Sequence, residues 1–458
     1  MAEQGPEIVR FTDPGLGNDA YLLVAGDAAV ALDPARDVRR YVEAAERREA
    51  RIVAAVETHL HADFVSGARE LATSGAEIHA SASGDLAFPH RPVRGGDRVV
   101  TDGLTLRALA TPGHSPEHLV YLVEDSDPPI LFTGGALIPG GAARTDLLGD
   151  DRTVELARML YRTLHERLAA LPDETIVHPT HGGGSFCSTG GGSGDRSTTL
   201  GFERKNNPLF LADSEEAFLE TLLSGYGSFP PFFLRLREIN RAGPRVLDGP
   251  PHPPRLEPKE VERELAAGTW ALDVRATEAY GAGHLKGSVT VPLGGGSFAV
   301  RLGWVIPWNT RLVLIADDEA MARKAAMKAA GIGYEELAGW STWESLRDAA
   351  MRVAETEVVD AGEVARRLEG ADRPTVVDVR HPPEWTEGIL PGAMTLEFGS
   401  LTRTIPPELR RSPVITYCAS GARAGIAASL LERAGIDAVT IFPGGPEEWR
   451  ESGRRLEK

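Results

Sequence analysis

One cysteine of this chain stands where a strand is expected to pass into a helix. An apolar run at 414–417 leads directly into Cys418-Ala-Ser-Gly-Ala-Arg423, and an alanine-rich helical stretch follows. A cysteine at such a junction lies among unpaired backbone N–H groups, which together with the helix dipole and Arg423 favour the thiolate over the thiol. Gly421 lets the loop curl so that these groups point inward. The pattern predicts a nucleophilic thiol at Cys418 that can carry a sulfur atom as a persulfide.

Two other interpretations of this cysteine remain open. Free cysteines are among the most buried residue types, so Cys418 could be an inert residue at a strand end. A cysteine phosphatase would use a similar loop, but it also needs a partner acid and a loop fitted to phosphate. The short loop that closes on Arg423 favours the nucleophilic thiol.

A series of histidines forms a second group of reactive residues in the first half of the chain. His59 and His61 stand two residues apart in Thr-His-Leu-His-Ala-Asp63, directly after an apolar run. His114 follows in Thr-Pro-Gly-His-Ser, and His181 in His-Pro-Thr-His-Gly. Histidines on loops that leave strands can converge on one metal ion. The series predicts a metal site built from these histidines, with Asp63 as a further candidate.

The elements that must position these residues fall into three blocks. Residues 1–245 alternate short β-rich runs with helical stretches, which indicates sheets covered by helices, and the glycine-rich segment 182–194 predicts a flexible loop. Prolines crowd the stretch 249–254, which is typical of a stiff linker. Two copies of one unit follow at 255–352 and 356–458, each with strands alternating with helices as in a parallel sheet. The fold class expected is α/β throughout.

The two copies repeat the same motifs but differ at the reactive position. Each has an Asp-Val-Arg segment, which begins at Asp273 in the first copy and at Asp378 in the second. Each also has a later Gly-x-Leu-x-Gly segment, which begins at Gly283 and at Gly388. Where the second copy has Cys418, the first reads Ile-Ala-Asp-Asp-Glu-Ala-Met-Ala-Arg323 and has no cysteine. Acidic residues there would repel anionic sulfur donors. We therefore expect the first copy to be catalytically silent and to serve as a spacer or docking domain.

Composition limits the class of protein. The 458 residues carry a net charge of −17, which argues against nucleic acid or an anionic membrane surface as the main partner. Only two cysteines occur, Cys187 and Cys418, so a disulfide-stapled secreted fold is excluded. No run approaches the ~18 apolar residues of a membrane span, and the first thirty residues lack the pattern of a signal peptide. We therefore expect a cytoplasmic protein that binds neither nucleic acid nor membrane.

These motifs resemble two known families. The two copies resemble rhodanese domains, which are doubly wound parallel sheets, and residues 1–245 resemble the metallo-β-lactamase superfamily, an αββα sandwich. Within that superfamily the chain is most similar to persulfide dioxygenases, which oxidise glutathione persulfide with a mononuclear Fe(II). The layout resembles bacterial persulfide dioxygenase–rhodanese fusions. The rhodanese resemblance implies that Cys418 accepts the sulfur, that Arg423 is catalytic, and that the loop between them is formed by Ala419, Ser420, Gly421 and Ala422.

The resemblance also implies ligands for the first domain. Iron would be held by His59, His114 and a carboxylate directly after a Thr-Gly pair, and Arg144 would bind the carboxylate end of the thiol. Two positions depart from that pattern, because the carboxylate position is Gly135 and the last histidine of the HxHxDH motif is Phe64. A dinuclear zinc hydrolase would lose part of its second site. The iron site of two histidines and one carboxylate is also incomplete.

Three states of this domain therefore remain open. His59, His61 and His114 could hold Fe(II) or zinc with water in the open position. Water or an anion could instead take the place of the missing carboxylate. In the third state the metal is lost, and the domain only binds a persulfide or a partner.

Two further expectations concern single residues. Cys187, in the glycine-rich loop beyond His181, is either a relay that accepts sulfur from Cys418 or an incidental loop thiol. Histidines outside the series, His118 among them, are expected to be ordinary surface residues.

Together these features predict a function in sulfane-sulfur metabolism. The chain is expected to be a sulfurtransferase that works through a Cys418 persulfide, coupled to a persulfide dioxygenase-like metal domain. The alternatives are a sulfur-delivery or interaction protein with a degenerate metal domain, and a generic metal-dependent hydrolase. The expected partners are a low-molecular-weight thiol persulfide, thiosulfate or sulfite, with a carrier protein as an alternative acceptor. A homo-oligomer is also expected.

Overall fold

The computed structural model describes residues 5–124, 126–189 and 195–458. The chain divides into two compact units, Met1–Gly249 with Gly331–Gly333 and Pro250–Ala330 with Tyr334–Lys458. Within the described residues, no helix is both long and apolar enough to cross a membrane. Part of the glycine-rich segment predicted as a flexible loop, residues 190–194, lies outside the described residues.

Two six-stranded sheets form the first unit. The first sheet follows chain order, with the strands β1 (Glu7–Asp13), β2 (Asn18–Ala25), β3 (Ala28–Leu32), β4 (Arg51–Val56), β5 (Glu77–Ser81) and β6 (Arg91–Val93). The second sheet has the order β12-β11-β10-β9-β8-β7, with the strands β7 (Arg98–Thr101), β8 (Leu104–Ala110), β9 (Leu119–Val123), β10 (Ile130–Gly134), β11 (Ile176–Pro179) and β12 (Thr198–Thr199).

Alternation along the strands explains why the two sheets stack. Successive side chains of a strand point to opposite faces. In β2, Tyr21 and Leu23 pack against Tyr121 and Phe132 of the second sheet. Their neighbour Leu22 faces the other way, toward the helices on the outer side of the first sheet. Both faces of β2 are therefore buried.

Helices cover the outer faces of both sheets. They are α1 (Arg39–Glu46), α2 (Ala68–Ala72), α3 (Asp150–Arg162), α4 (Leu200–Asn206), α5 (Pro208–Leu211), α6 (Glu215–Ser224) and α7 (Phe233–Ala242). Tyr41 of α1 and Leu71 of α2 belong to the apolar core on the first sheet. Leu160 of α3 and Phe218 of α6 belong to the core on the second sheet. The αββα sandwich expected from the sequence is confirmed.

The second unit contains two helix-and-strand segments in succession. The first has the elements α8 (Pro258–Ala266), β13 (Trp270–Asp273), α9 (Thr277–Ala282), β14 (His284–Leu285), β15 (Val289–Thr290), α10 (Phe298–Val305), β16 (Leu312–Ala316), α11 (Glu319–Ala330), β17 (Leu337–Thr342), α12 (Trp343–Asp348) and β18 (Val353–Ala354). The second has β19 (Glu357–Val358), α13 (Ala361–Glu369), β20 (Thr375–Asp378), α14 (Pro382–Trp385), β21 (Met394–Thr395), β22 (Val414–Tyr417), α15 (Ala422–Arg433), β23 (Val439–Phe442) and α16 (Gly445–Glu451).

The two segments share one sheet topology. The first sheet has the order β15-β13-β16-β17, and the second has the order β21-β20-β22-β23 with β19 added at its edge. All neighbouring strands in both sheets run parallel. The central strands β16 and β22 are buried along their whole length, as expected for parallel sheets covered on both faces. The parallel α/β architecture expected from the sequence is confirmed.

One ion pair is repeated in both segments. The guanidinium of Arg275 lies 2.6 Å from Asp273, and that of Arg380 lies 2.7 Å from Asp378. Each arginine also donates a 2.8 Å hydrogen bond to the carbonyl of a glycine eight residues further on. All four side chains are buried. The repeated Asp-Val-Arg motif therefore pins the loop after the first central strand in each copy.

Candidate functional site

Cys418 lies at the carboxyl edge of the second parallel sheet. The strand β22 ends at Tyr417, and α15 begins at Ala422. Gly421 has a φ of +79°, which glycine adopts readily, and a Cβ at this position would stand 2.7 Å from Cβ of Pro443. Only glycine fits this loop without strain, so the tight turn between Cys418 and the helix follows from the sequence.

The predicted active-site loop is partly exposed and partly buried. Ala419 and Ser420 are exposed, whereas Gly421 and Ala422 are buried. The side chain of Cys418 is itself buried. Burial alone would suit an inert thiol, so the charged groups around Cys418 decide what it can do.

Arg423 supplies the nearest positive charge. Its guanidinium lies within hydrogen-bonding reach of Cys418 and forms a two-point ion pair with Glu384, in which one Nη2–Oε1 distance is 2.8 Å. Burial opposes the charge of Arg423, but the hydrogen bonds to Glu384 and the nearby Cys418 raise its pKa above the ordinary value. Arg423 is therefore a fixed cation beside the thiol. The pairing of Glu384 with Arg423 was not predicted from the sequence.

Three buried histidine rings converge in the first unit. The ligand nitrogens of His59, His114 and His181 all lie within 4.8 Å of one another. The Nε2 atoms of His59 and His181 are 3.3 Å apart. These residues follow the strands β4, β8 and β11, whose ends meet at one edge of the sandwich.

Hydrogen bonds assign the same tautomer to each ring. Nδ1 of His59 donates to the hydroxyl of Thr58 at 2.8 Å, since that hydroxyl donates in turn to Asp33. Nδ1 of His114 donates to the carbonyl of Arg144 at 2.7 Å. Nδ1 of His181 lies 3.1 Å from the amide oxygen of a nearby asparagine. Each Nε2 therefore keeps a lone pair, and an outer partner orients each ring as it does for metal-bound histidines.

Two of the rings, those of His59 and His114, are held in the neutral form that metals need. Burial, reinforced by the neighbouring imidazoles, holds the pKa of His59 well below its usual range. Burial and the nearby His181 lower the pKa of His114 to about 3. Neutral imidazoles are good ligands for zinc and iron. These three residues therefore fit a single metal ion with further coordination positions left open.

His61, which the sequence placed in the metal site, has a different environment. Its Nε2 lies 3.0 Å from Glu57 and 3.2 Å from Asp33. Burial opposes protonation, but these two carboxylates outweigh it and raise the pKa of His61 to about 10. A metal ion would therefore compete with a bound proton for His61.

A second group of candidate ligands overlaps the first. His61, Asp63 and His181 also bring their ligand atoms within 4.8 Å of one another, as do Asp33, His59 and His61. Nδ1 of His61 and Oδ1 of Asp63 are buried and have no hydrogen-bond partner among the described residues. His181 is shared by the first two groups. The structure therefore gives His181, which the sequence named only as one candidate ligand, a place in two of these groups.

The two departures from the family motif have visible consequences. A Cβ on Gly135 would stand 2.6 Å from Cδ2 of His114 and 2.9 Å from Cβ of Ala143, so the His114 ring occupies the space that a carboxylate would need. Phe64 stacks on the ring of His61, with centroids 4.2 Å apart. An aromatic ring thus covers His61 where the family motif has a ligand.

The expectation that His118 is a surface residue is wrong. His118 is buried, and its Nε2 accepts a 3.1 Å hydrogen bond from the backbone N–H of Gly135. Its ring stacks on His59 with centroids 5.0 Å apart. The sequence gave no sign of this role, because the contacts join a loop to strand ends far away in the chain.

Arg144, predicted to bind a substrate carboxylate, is already engaged by protein groups in this structure. Its guanidinium is buried and pairs with Asp146 at 2.6 Å and 2.7 Å. Two more donors reach the carbonyls of Phe186 and Gly227. Asp146 already compensates the charge, so Arg144 is held by the protein, and its own carbonyl orients His114.

Cys187 also differs from the predicted relay. Its thiol is fully buried. Burial, reinforced by Asp63, raises the pKa of Cys187 well above its usual range. A neutral, buried thiol is a poor nucleophile, so the structure favours the incidental thiol over the sulfur relay.

Two families are recognised in the sequence. The profile of the metallo-beta-lactamase superfamily matches residues 13–181, and that of the rhodanese-like domain matches residues 360–452. The chain joins a metallo-β-lactamase domain to a rhodanese-like domain. The histidine cluster lies in the first domain, and Cys418 lies in the second. The rhodanese match does not include the first copy, whose likeness to the second rests on strand order and repeated motifs.

Individual relatives are similar to the chain over part of its length. A hydroxyacylglutathione hydrolase of Polaromonas sp. is 35% identical over 178 residues, which are 37% of this chain and 64% of that protein. The human mitochondrial persulfide dioxygenase is 29% identical over 192 residues, which are 41% of this chain and 68% of that protein. The first of these matches therefore spans less than two thirds of the relative's length.

A solved structure extends the likeness beyond the metallo-β-lactamase domain. The crystal structure of a metallo-beta-lactamase from Staphylococcus aureus subsp. aureus COL has a TM-score of 0.65 and 27% identity. The aligned region covers 74% of this chain and 99% of the Staphylococcus aureus chain. This share is larger than the first unit alone, so the similarity continues into the second unit.

Proposed function

We propose that this protein acts in sulfane-sulfur metabolism as a sulfurtransferase whose Cys418 carries the transferred sulfur. The observation that carries the proposal is the placement of Cys418 between a central strand and a helix, with the cation of Arg423 within hydrogen-bonding reach. The match of this segment to the rhodanese-like domain supports it.

The transfer takes place in two displacements. The thiolate of Cys418 attacks the outer sulfur of a persulfide or of thiosulfate, and the electron pair of the broken S–S bond leaves with the donor thiolate or with sulfite. The persulfide then passes its outer sulfur to an acceptor thiolate such as glutathione, which regenerates Cys418. Arg423 and the loop N–H groups stabilise the negative charge on the sulfur.

For the metallo-β-lactamase domain we propose a single Fe(II) or zinc ion held by His59, His114 and His181. Bound iron would supply the oxygen chemistry of persulfide oxidation, the activity named for the human relative. His59 and His114 would be presented by Thr58 and by the carbonyl of Arg144, which fix the tautomers. A sulfite product of this domain could combine with the Cys418 persulfide to give thiosulfate.

Two assays on the full chain test these assignments. Protein reconstituted anaerobically with Fe(II) is assayed for bound metal and for oxygen consumption on glutathione persulfide, and sulfur transfer is followed from thiosulfate to cyanide. We expect Cys418→Ser to abolish transfer and to leave oxygen uptake in place. Unchanged transfer in that variant would overturn the role of Cys418. Absence of both bound iron and oxygen uptake would overturn the dioxygenase assignment alone.

A second candidate function is sulfur delivery to a protein partner. It is favoured by the complete burial of Cys418 and by Gly135, which removes a ligand expected of an iron dioxygenase. Steady turnover on small thiols without a partner supports the enzyme. Activity that requires a carrier protein supports delivery. A dinuclear metal hydrolase is disfavoured, because Phe64 and Gly135 stand where the motif would supply ligands for a second metal.

A further inference from the structure

The first copy of the second unit contacts the second copy close to Cys418. Trp304, on helix α10, packs on Phe398 and His381 of the second copy, with ring centroids 5.8 Å and 5.5 Å apart. A Cβ on Gly399 would stand 2.5 Å from the Trp304 ring, so the two surfaces meet without a gap. The copy that lacks a cysteine is thus fixed against the copy that has one.

Arg301 precedes Trp304 by one helical turn and therefore lies on the same face of α10. Cys418 and Arg423 are the charged groups that act on Arg301. Burial lowers the pKa of Arg301, the nearby Arg423 lowers it further, and the negative charge of Cys418 raises it. Two arginines, one from each copy, therefore lie beside the reactive sulfur.

The two arginines differ in their partners. Arg423 remains charged, but Glu384 compensates that charge through a two-point ion pair. Among the described residues, no carboxylate acts on Arg301. A half-buried guanidinium without a counter-charge is unfavourable unless an anion binds to it. Arg301 therefore has five N–H donors and a positive charge for which the described part of the chain supplies no carboxylate.

The chain around Arg301 leaves room for a small anion. Residues 294–296 are three successive glycines that lead into α10. Gly294 and Gly295 are exposed, and a Cβ on Gly295 would stand 4.0 Å from Nη1 of Arg301. Gly295 and Gly296 have positive φ values of 75° and 83°, which side chains other than glycine rarely adopt. The loop beside the guanidinium thus presents backbone and no side chains.

We propose that Arg301 binds the oxoanion end of the sulfur donor, so that the copy without a cysteine completes the active site of Cys418. This inference rests on the proposed sulfur transfer and names its donor class: thiosulfate and related thiosulfonates, whose sulfane sulfur is attached to an –SO₂ or –SO₃ group. Arg301 holds that group while the sulfane sulfur faces Cys418.

The chemistry gives Arg301 a defined task. The Cys418 thiolate forms a bond to the sulfane sulfur of thiosulfate, the S–S bond breaks, and sulfite leaves with the electron pair. The charges balance, since a thiolate and a dianion give a persulfide anion and sulfite dianion, and no oxidant or reductant is needed. Negative charge moves onto the sulfite oxygens, and Arg423 is already paired with Glu384. Arg301 is therefore the cation that stabilises the negative charge on the sulfite oxygens.

The test compares Arg301→Gln and Arg301→Lys with wild type in the full chain. We expect Arg301→Gln to lower kcat/KM for thiosulfate by about tenfold or more, the range of a lost charge-assisted hydrogen bond. Glutathione persulfide, which lacks the oxoanion next to its sulfane sulfur, should lose less than about threefold by the same reasoning. Arg301→Lys keeps the charge without the planar fork and should fall in between.

A matched control is Arg323→Gln, because Arg323 is an exposed arginine of the same copy that pairs with Glu319 at 2.7 Å. It should leave both donors unaffected. Equal kcat/KM for thiosulfate in wild type and Arg301→Gln would overturn the proposal. An equal loss for both donors would overturn the donor class, because Arg301 would then act on Cys418 itself.

A binding measurement separates this inference from the proposed function. Thiosulfate binding to Cys418→Ser is measured by calorimetry with and without Arg301→Gln, and we expect the added change to weaken binding about tenfold or more. Absence of Cys418-dependent transfer in wild type would refute the proposed function. Undiminished thiosulfate binding in the double variant would refute the role of Arg301, whatever the transfer assay shows.

Discussion

The guanidinium of Arg423 and the carboxylate of Glu384 form a two-point ion pair beside Cys418, with one Nη2–Oε1 distance of 2.8 Å. Paired Arg–carboxylate contacts of this kind fix the plane of the guanidinium as well as its position. Glu384 is on the short helix α14, and Arg423 is in the first turn of α15. The pair therefore joins two elements around the reactive loop and fixes the direction in which Arg423 can donate.

Replacing Glu384 by glutamine should slow sulfur transfer without removing a contact to the donor. Glutamine can accept one hydrogen bond from Arg423 but carries no charge, so the guanidinium loses its fixed orientation. We expect kcat for thiosulfate to fall about tenfold while KM changes little, by analogy with a lost charge-assisted bond. Glu363→Gln is the matched control, because it breaks an exposed pair with Arg366 away from the loop. A change confined to KM would contradict the orienting role.

The ion pair between Arg423 and Glu384 should make the free energy of unfolding depend on pH. Burial raises the pKa of Glu384, but Arg423 outweighs it and lowers the pKa below 4.5. Because the folded pKa is depressed, the contribution to stability is present above 4.5 and is lost as the pH falls through the folded value. The free energy of unfolding of wild type should exceed that of Glu384→Gln by about 1 kcal/mol at pH 7, with the gap closing toward pH 3. Urea unfolding across this range measures it, and a constant gap would refute it.

Three histidine variants locate the metal. His181→Ala removes a residue that belongs to two of the three candidate ligand groups, so bound metal should fall to background after Fe(II) or zinc reconstitution. His114→Ala should have the same effect, whereas His61→Gln should retain the metal. His165→Ala, outside the cluster, is the control. The amount of metal bound to each variant is measured by mass spectrometry. Loss of metal in His61→Gln with retention in His114→Ala would place the ion in the group of His61, Asp63 and His181.

Gly135→Ala should perturb the metal site through its packing. The new Cβ would stand 2.6 Å from the ring of His114, so the ring must move away from its hydrogen bond to the carbonyl of Arg144. We expect unfolding to become easier by about 2 kcal/mol, as for overpacked cores. Metal affinity should fall as well. Gly227→Ala is the control variant, since nothing lies within 4 Å of a Cβ there and the residue is exposed. Unchanged stability and affinity in Gly135→Ala would contradict the described packing.

The repeated ion pair allows a comparison between the two copies. Asp273→Asn and Asp378→Asn each leave a buried arginine without its counter-charge, so each should lower the free energy of unfolding by about 3 kcal/mol. Asp378 also accepts a 2.7 Å hydrogen bond from Tyr417, the residue before Cys418. Sulfur transfer should therefore fall further in Asp378→Asn than in Asp273→Asn. Equal activities in the two variants, measured under native conditions, would contradict this difference.

Features that depend on neighbouring residues could be predicted from the sequence. The loop from Cys418 to Arg423 was expected because a strand, a small-residue turn and a helix follow one another directly in the chain. The parallel sheets were expected because alternating strands and helices recur in both copies. The sandwich was expected from its histidine motifs and their resemblance to a known family.

Features that depend on how buried side chains pair in the fold could not be predicted in this way. The choice of His181 over His61 depends on Asp33 and Glu57, which hold His61 in an ion-paired state. Arg144 was assigned to a substrate, but Asp146 and the carbonyls around it occupy its donors. Sequence patterns report which side chains are present, whereas burial and the partners that burial selects appear only in the folded chain.

The sequence by itself determined the strand–loop–helix position of Cys418, the histidine series and the repeated α/β units, because local spacing and periodicity encode strands, helices and turns. The tertiary structure decided which histidines converge, which arginines are already paired, and that Arg301 of the first copy lies beside Cys418 of the second. Some of these outcomes depend on contacts between residues far apart in the chain, such as His59 with His181. Close packing and the cost of an unpaired buried charge select the partners.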